Sequence, residues 1–312
     1  MDLFEDYWEH TNKDYPVGVY YVDLRRMFME NVRPHWHEAM EIDLVRSGRA
    51  LFSIGEEEEL LTAGSAVWIN RDRLHAIRPA DDGNCEILSI LFHPAYLFEE
   101  PASFLATKYY TPLIGNRNLS YAILDKSDPY GRRGLECVDA ILEANLNKAY
   151  GYELETKSRL CALWLQLLEK NNTADGTKKA TPQALSDEDR VKDAISFIHS
   201  HYGEQLSLDD IADSVPLSRS ECSRCFKRAT GMSPFDYLLR HRIYAAARLM
   251  QRSDPVAAHI NTLSEAVGFR GASYFNRIFR KYLGCTPLEY RSTIKKAHRD
   301  ALALYGISLA RL

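Results

Sequence analysis

The chain has 312 residues, 46% of them apolar and 26% charged, with a formal net charge of −4. That balance suits a globular protein of two or three domains, and no apolar run approaches the roughly 18 residues of a membrane span. The acidic start, Met1-Asp2-Leu3-Phe4-Glu5-Asp6, lacks the basic-then-apolar layout of a secretory signal, so a cytoplasmic location without membrane contact is expected.

Six cysteines (Cys85, Cys137, Cys161, Cys222, Cys225 and Cys285) are sparse for this length and are expected as free thiols. Cys222-x-x-Cys225 lacks the second pair that a four-ligand zinc site needs, and it is read as two small residues on a helix. Charge is uneven. Residues 188–299 hold 18 Lys/Arg against 12 Asp/Glu, whereas the remainder holds 21 against 31. A basic segment joined to an acidic body is what electrostatic contact with phosphates requires.

In chain order, Val17–Val22, Glu41–Arg46, Ala50–Ile54, Ala66–Asn70 and Ile87–Phe92 read as short strands, rich in β-branched residues and punctuated by Gly48, Gly55, Gly64 and Asp81-Asp82-Gly83. Such spacing predicts a sandwich or small barrel over 1–132, with Glu56–Glu59 as a solvated hairpin tip. Two helices follow over 133–170. The first carries the stripe Leu135, Val138, Ile141, Leu142 and Leu146. The second, about 154–170, is apolar over a wider arc from Leu160 to Leu168, wide enough to serve its own barrel and a homodimer partner. The polar stretch 171–187, with Gly and Pro, reads as a linker, and everything after it reads as helix.

The last third contains an internal repeat. Arg224-x-Phe226-Lys227-x3-Gly231-x-Ser233-Pro234-x2-Tyr237 recurs as Arg277-x-Phe279-Arg280-x3-Gly284-x-Thr286-Pro287-x2-Tyr290, offset by 53 residues throughout. Ser207-Leu208-Asp209-Asp210 and Ser218-Arg219-Ser220-Glu221 have capping-box spacing. Val215-Pro216-Leu217 and Val267-Gly268-Phe269 supply tight turns, and Gly231 ends a helix that Ser218 opens. A short helix, a turn and a capped helix form the helix-turn-helix layout. Its second helix spans Arg219–Thr230 in one copy and Ala272–Leu283 in the other. A recognition helix meets base edges near its N-terminus. Arg219, Ser220, Ser223, Arg270, Ala272, Ser273 and Asn276 are therefore placed to sample bases, and Arg224, Lys227, Arg277 and Arg280 to contact phosphates or bases. The competing reading is a solvated helical bundle whose arginines have no special role.

These residues, together with Ile211-Ala212, Arg242, Ala246 and Ser273-Tyr274-Phe275, resemble the AraC/XylS family of transcription regulators over about 190–294. The resemblance implies a double helix-turn-helix domain (188–299), joined internally by a helix over Pro234–Gln251, that places two recognition helices in successive major grooves of duplex DNA. Ser264 and Cys222 depart from the family's usual residues, and the short Ser220 and Ser223 leave the target sequence open.

In the N-terminal region, His35-x-His37-x3-Glu41-x6-Gly48 has the spacing of the first cupin motif, and Gly64-x5-Asn70-x4-His75 resembles the second. Strand alternation would turn His35, His37 and Glu41 one way and Trp36, Met40, Ile42 and Leu44 the other. Four readings compete for His35, His37, Glu41 and His75. They contact a small effector, such as a sugar or other carbohydrate-derived compound, which the family resemblance implies; or they bind a divalent metal, as the same set does in metal cupins; or they belong to a metal cupin enzyme fused to a DNA-binding tail; or they are satisfied barrel residues in a domain that only dimerises. The first is the leading expectation: an α+β multidomain protein with a cupin-like β-barrel, a helical pair and an all-α double helix-turn-helix domain, no cofactor and no catalysis of its own. No phosphate-binding glycine loop or nucleophile elbow is present, and His199 and His201 read as surface residues at a helix end.

Overall fold

The computed structural model describes residues 15–26, 31–81, 84–98, 103–114, 119–172, 182–251 and 254–294. The acidic N-terminus, Asp82-Gly83, most of the stretch read as a linker (173–181) and residues 295–299 lie outside them. The chain divides into two compact units, one ending at Asp189 and the other beginning at Arg190.

Among the described residues the first unit contains nine strands: β1 (Val17–Asp23), β2 (Val32–His35), β3 (Met40–Ser47), β4 (Arg49–Ile54), β5 (Glu57–Thr62), β6 (Ala66–Ile69), β7 (His75–Pro79), β8 (Glu86–Phe92) and β9 (Tyr121–Leu124). They form two antiparallel sheets, ordered β1-β8-β3-β6-β9 and β2-β7-β4-β5. Between the sheets, Val22, Val45, Phe52, Ile54, Val67, Ile69, Ile77 and Ile87 make one buried core. On the outer face of the five-stranded sheet, Met40, Ile42, Trp68, Ile90 and Phe92 pack against Val138, Ile141, Leu160, Leu163 and Trp164. The period-2 alternation of β3 thus turns Met40, Ile42 and Leu44 toward helices and Glu41, Asp43 and Val45 inward.

The acidic run does not form the hairpin tip. Ile54 faces Glu57 across β4 and β5, so Gly55-Glu56 is the two-residue turn and Glu57–Glu59 are paired in an edge strand. At Gly48, φ is +75° and an added Cβ would lie 2.0 Å from the Asn84 carbonyl oxygen, so only glycine fits between β3 and β4.

After a short π-helical segment (Ala106–Tyr110) and α1 (Thr111–Ile114), the unit closes with α2 (Pro129–Asn147) and α3 (Tyr152–Asn172). Asp128 caps α2 by accepting from the Tyr130 and Gly131 amides, each at 2.8 Å, and its other oxygen lies 2.7 Å from Lys170 Nζ. Leu135, Val138, Ile141 and Leu142 are buried as the stripe requires, but Leu146 is 71% exposed. The wider arc of α3 divides: Leu160, Leu163, Trp164 and Leu167 pack on the sheet, while Leu154 and Leu165 face solvent. The next helix, α4 (Pro182–His201), starts inside the stretch read as a linker. Its Asp187 and Glu188 are buried in the first unit.

The second unit contains the remainder of α4, then α5 (Leu208–Ser214), α6 (Arg219–Thr230), α7 (Pro234–Gln251), α8 (Ile260–Ala266) and α9 (Ala272–Leu283), with 287–294 also helical. Both capping boxes form: Ser207 with Asp210 at α5, and Ser218 with Glu221 at α6. Gly231 and Gly284 end α6 and α9 in the left-handed conformation. Between α8 and α9, Gly268 has φ +83°, and a Cβ there would meet the Tyr202 carbonyl oxygen at 2.3 Å and Arg242 Nε at 2.8 Å. Arg242 is buried and donates to the Tyr202 and Glu204 carbonyls at 2.8 and 2.6 Å, tying α7 to the end of α4. All six cysteines are free, and Cys222 and Cys225 are buried on α6.

Candidate functional site

In the second unit, α6 and α9 are the same object twice. Phe226 and Phe279 are fully buried, and Cys222/Phe275 and Cys225/Ile278 are the other buried pairs at the 53-residue offset. The opposite face carries Arg219, Ser220, Ser223, Arg224 and Lys227 on α6. On α9 it carries Ala272, Ser273, Asn276, Arg277 and Arg280, again each 53 residues on. Positions i, i+1, i+4, i+5 and i+8 share one side of a helix. Of these ten, Ser223 and Ala272 are half-buried and the rest are exposed. Two of the sequence-selected arginines are engaged within the protein: Arg219 Nε lies 2.8 Å from Asp209 Oδ1, and Arg270 Nε donates to Gln205 Oε1 at 2.8 Å. Arg270 also falls outside the repeated pattern, in the turn before α9. Arg277 lies over the Tyr274 ring at 5.1 Å, which holds its stem along the helix. His199 hydrogen-bonds Tyr237 Oη at 2.9 Å and His201 a helix carbonyl of Phe197.

In the first unit, His35, His37, Glu41 and His75 converge, and their ligand atoms lie within 4.8 Å of one another. They do not share one strand. His35 ends β2, His37 lies in the following loop, Glu41 is on β3 in the other sheet, and His75 opens β7. His35 and His75 are direct cross-strand partners, separated from the Val32–Ile77 pair by three residues on β2 against two on β7. That extra residue is a bulge, which re-aims a side chain; the two ring centroids sit 4.1 Å apart. His75 Nε2 and His37 Nε2 lie 2.8 and 3.1 Å from Glu41 Oε2.

The site is dry. The Glu41 and His75 side chains are 0% and 1% exposed and that of His37 8%. Burial, reinforced by His75 and His37, pushes the His35 ring well below the usual histidine range, so it is neutral near pH 7. Burial alone would raise Glu41, but His75 and His37 hold its carboxyl well below the ordinary value and it is ionised. Two residues further along the same face, Asp43 shows the opposite behaviour: burial and the charge of Glu41 push it well above the carboxylate range. Asp43 accepts from Ser89 Oγ across β3 and β8. Asp43 and Ser89 extend the polar row, and the i, i+2 spacing from Glu41 was the signal for the former.

A second feature adjoins the cluster. Glu188, near the start of α4, accepts from the Leu74 amide at 2.9 Å and pairs with Arg73 Nη1 at 3.1 Å, both side chains being 6% exposed. The Arg73 carbonyl in turn accepts from His75 Nδ1 at 2.7 Å.

A β-rich ligand-binding unit joined to two helix-turn-helix units defines a DNA-binding transcription regulator. The comparisons with known proteins agree. Residues 16–164 match the model of the AraC-like ligand binding domain, and residues 211–293 match that of a helix-turn-helix domain. The chain is 28% identical over 284 residues to the uncharacterised HTH-type transcriptional regulator YdeC of Bacillus subtilis, covering 91% of this chain and 94% of that one. It is 25% identical over 260 residues to the HTH-type transcriptional activator RhaS of Escherichia fergusonii, covering 82% and 86%. A shorter match, 31% over 101 residues, covers 32% of this chain and 35% of the lactose operon transcription activator of Staphylococcus xylosus. The chain belongs to the AraC/XylS family of transcription regulators, and these relatives are regulators rather than enzymes.

Proposed function

We propose that this regulator binds duplex DNA sequence-specifically through α6 and α9, and that a small molecule bound at the His35, His37, Glu41 and His75 end of the barrel controls that binding. The observation that carries the DNA half is the repeated surface pattern: five equivalent positions on two helices, each backed by a buried aromatic or sulfur-bearing face. Arg224, Lys227, Arg277 and Arg280 contact phosphates or guanine edges; Ser220, Ser223, Ser273 and Asn276 reach neighbouring bases. The ligand half is supported by a buried polar row inside an otherwise apolar sandwich, the usual lining of a small-molecule site. Carbohydrates are the first class to screen, since one matching relative is named for a lactose operon.

We further assign the exposed Leu146, Leu154 and Leu165 of α2 and α3 to a homodimer contact, which would place two DNA-binding units on one operator. The test is selection of binding sites from random duplex DNA with the purified chain, followed by titration with and without candidate sugars. Reciprocity is required: a compound that tightens DNA binding must itself bind more tightly when DNA is present. Equal compound affinity with and without DNA would contradict the coupling.

A further inference from the structure

We propose that Asp209 of α5 is a specificity-determining residue: it holds the guanidinium of Arg219, the first residue of α6, in the orientation that reads a guanine. This rests on the reading of α6 as a recognition helix. Arg219 Nε lies 2.8 Å from Asp209 Oδ1, the two side chains being 62% and 55% exposed. Asp209 takes no part in the cap of α5, which uses Ser207 and Asp210. The contact is made at the inner nitrogen of a rigid planar group. It therefore restrains the plane and leaves the outer Nη1/Nη2 fork, whose geometry matches guanine O6 and N7, to the duplex. Of the first turn of α6, Arg219, Ser220, Glu221 and Cys222, Arg219 alone can donate two hydrogen bonds to one base.

Charge decides between a base and a phosphate. Arg219 by itself would suit a phosphate. Paired with Asp209 it brings no net charge, and a carboxylate on this face opposes the phosphate attraction that drives non-specific binding. The pair keeps the donor pattern that a base edge needs and gives up the charge that a phosphate needs. The internal repeat agrees. The second residue of α5 is Asp209 and that of α8 is Asn261; the first residue of α6 is Arg219 and that of α9 is Ala272. Carboxylate and arginine are present together in one copy and absent together in the other. The second copy instead holds Arg270, in the turn before α9, again through Nε, here to Gln205 Oε1 at 2.8 Å. Gln205 Nε2 donates to the Gly268 carbonyl at 3.2 Å, which sets the amide oxygen toward the arginine. An arginine held at its inner edge is thus built twice, with different partners.

The experiment uses the full chain and a site selected from random duplex DNA. Each base pair of that site is changed in turn, and affinity is read by fluorescence anisotropy. The parent should favour guanine at one position by roughly five- to 150-fold, and Arg219→Met should abolish that preference there and nowhere else. Asp209→Ala should reduce the same preference by roughly two- to ten-fold, the cost of fixing a loose side chain on binding. It should also bind duplex lacking the site more tightly, since a negative charge has left the DNA face. Asp209→Asn should gain the same non-specific affinity but keep the guanine preference, because an amide oxygen serves as acceptor, as Gln205 does for Arg270. Melting should hardly move in any of the three, since exposed ion pairs stabilise little. Equal weakening on every sequence in Arg219→Met would mark a phosphate contact and overturn the proposal. So would an unchanged guanine preference in Asp209→Ala; if Arg224→Ala still weakens binding, that result removes the role of Asp209 and leaves α6 as a recognition helix. If Arg219→Met and Arg224→Ala both bind every sequence like the parent, α6 does not meet DNA and both readings fall.

Discussion

Breaking the Arg73–Glu188 pair should be costly in a predictable way. Glu188 uses both carboxylate oxygens, one on the Leu74 amide at 2.9 Å and one on Arg73 Nη1 at 3.1 Å, in a place where both side chains are 6% exposed. Glu188→Ala leaves a buried guanidinium short of one carboxylate and a buried amide without its acceptor. Removing one partner of a buried ion pair costs about 3–5 kcal/mol. For a unit of 189 residues, where 1 kcal/mol shifts the melting temperature by roughly 2–4 °C, the first unit should melt roughly 6–20 °C lower. The assay is calorimetric unfolding of Glu188→Ala, Arg73→Met and the double variant Arg73→Met/Glu188→Leu. The double variant should recover the part of the loss that comes from the unpaired guanidinium, because an apolar pair can replace a buried ion pair at little cost, but not the part that comes from the Leu74 amide, which still lacks its acceptor. A functional consequence follows from connectivity. The Arg73 carbonyl holds His75 Nδ1, and α4 runs on past Glu188 into the second unit. Glu188→Ala should therefore shrink the change in DNA affinity that ligand produces. A loss under about 1 kcal/mol, with ligand response intact, would refute both the clamp and its role.

Gly268→Ala should destabilise the second unit by more than Gly284→Ala. Both have left-handed φ, worth roughly 1–2 kcal/mol for a residue with a Cβ, but only at Gly268 would the Cβ strike the Tyr202 backbone, whereas nothing lies within 4 Å at Gly284. Equal melting shifts would contradict this. Arg277→Ala should weaken specific DNA binding by about 1–3 kcal/mol, roughly five- to 150-fold, with unchanged melting; fluorescence anisotropy reads it. At Asp128, Asn keeps the helix cap but loses the charge that Lys170 and the Tyr130 and Gly131 amides stabilise. Burial opposes that charge, yet these partners win and the folded pKa is lowered. The contribution is therefore present above the unfolded carboxylate value and lost as pH falls through the lowered folded one. The stability gap between parent and Asp128→Asn should close toward acid pH, as urea unfolding between pH 7 and pH 3 would show. If the proposed homodimer contact is right, Leu154→Lys/Leu165→Lys should give a monomer in analytical ultracentrifugation where the parent is a dimer, without lowering the melting temperature, since both side chains are already exposed; a monomeric parent would contradict the contact.

The helix-turn-helix units were legible almost to the residue because their determinants are local. Capping boxes, a C-terminal glycine and a three- or four-residue apolar step all act within one helix length, and α6 opens at the Ser218 box and ends at Gly231 where these signals put it. The sheets were less legible. The five strands with β-branched alternation were visible, but β2 carries Pro34, β5 is an edge strand opening on Glu57-Glu58-Glu59, and β7 and β9 are four or five residues long. Edge strands need bury only part of one face, so period 2 fades. The members of the His/Glu cluster were readable from spacing. That they meet was expected from the same spacing; how they meet was not, since it depends on a bulge and on strands of two sheets rather than on alternation along one strand. Glu188 had no signal at all, lying 114 residues from the amide it holds.

The proposed recognition of DNA turns on how α6 and α9 contact the duplex. Hydroxyl-radical footprinting of the full chain on a selected site measures this. Two helices that enter successive major grooves on one face should protect patches about one helical turn, about 34 Å, apart for each DNA-binding unit, and Arg224→Ala and Arg277→Ala should each erase a different patch. One patch only, or two patches that both survive the substitutions, would contradict the claim that α6 and α9 are paired recognition helices.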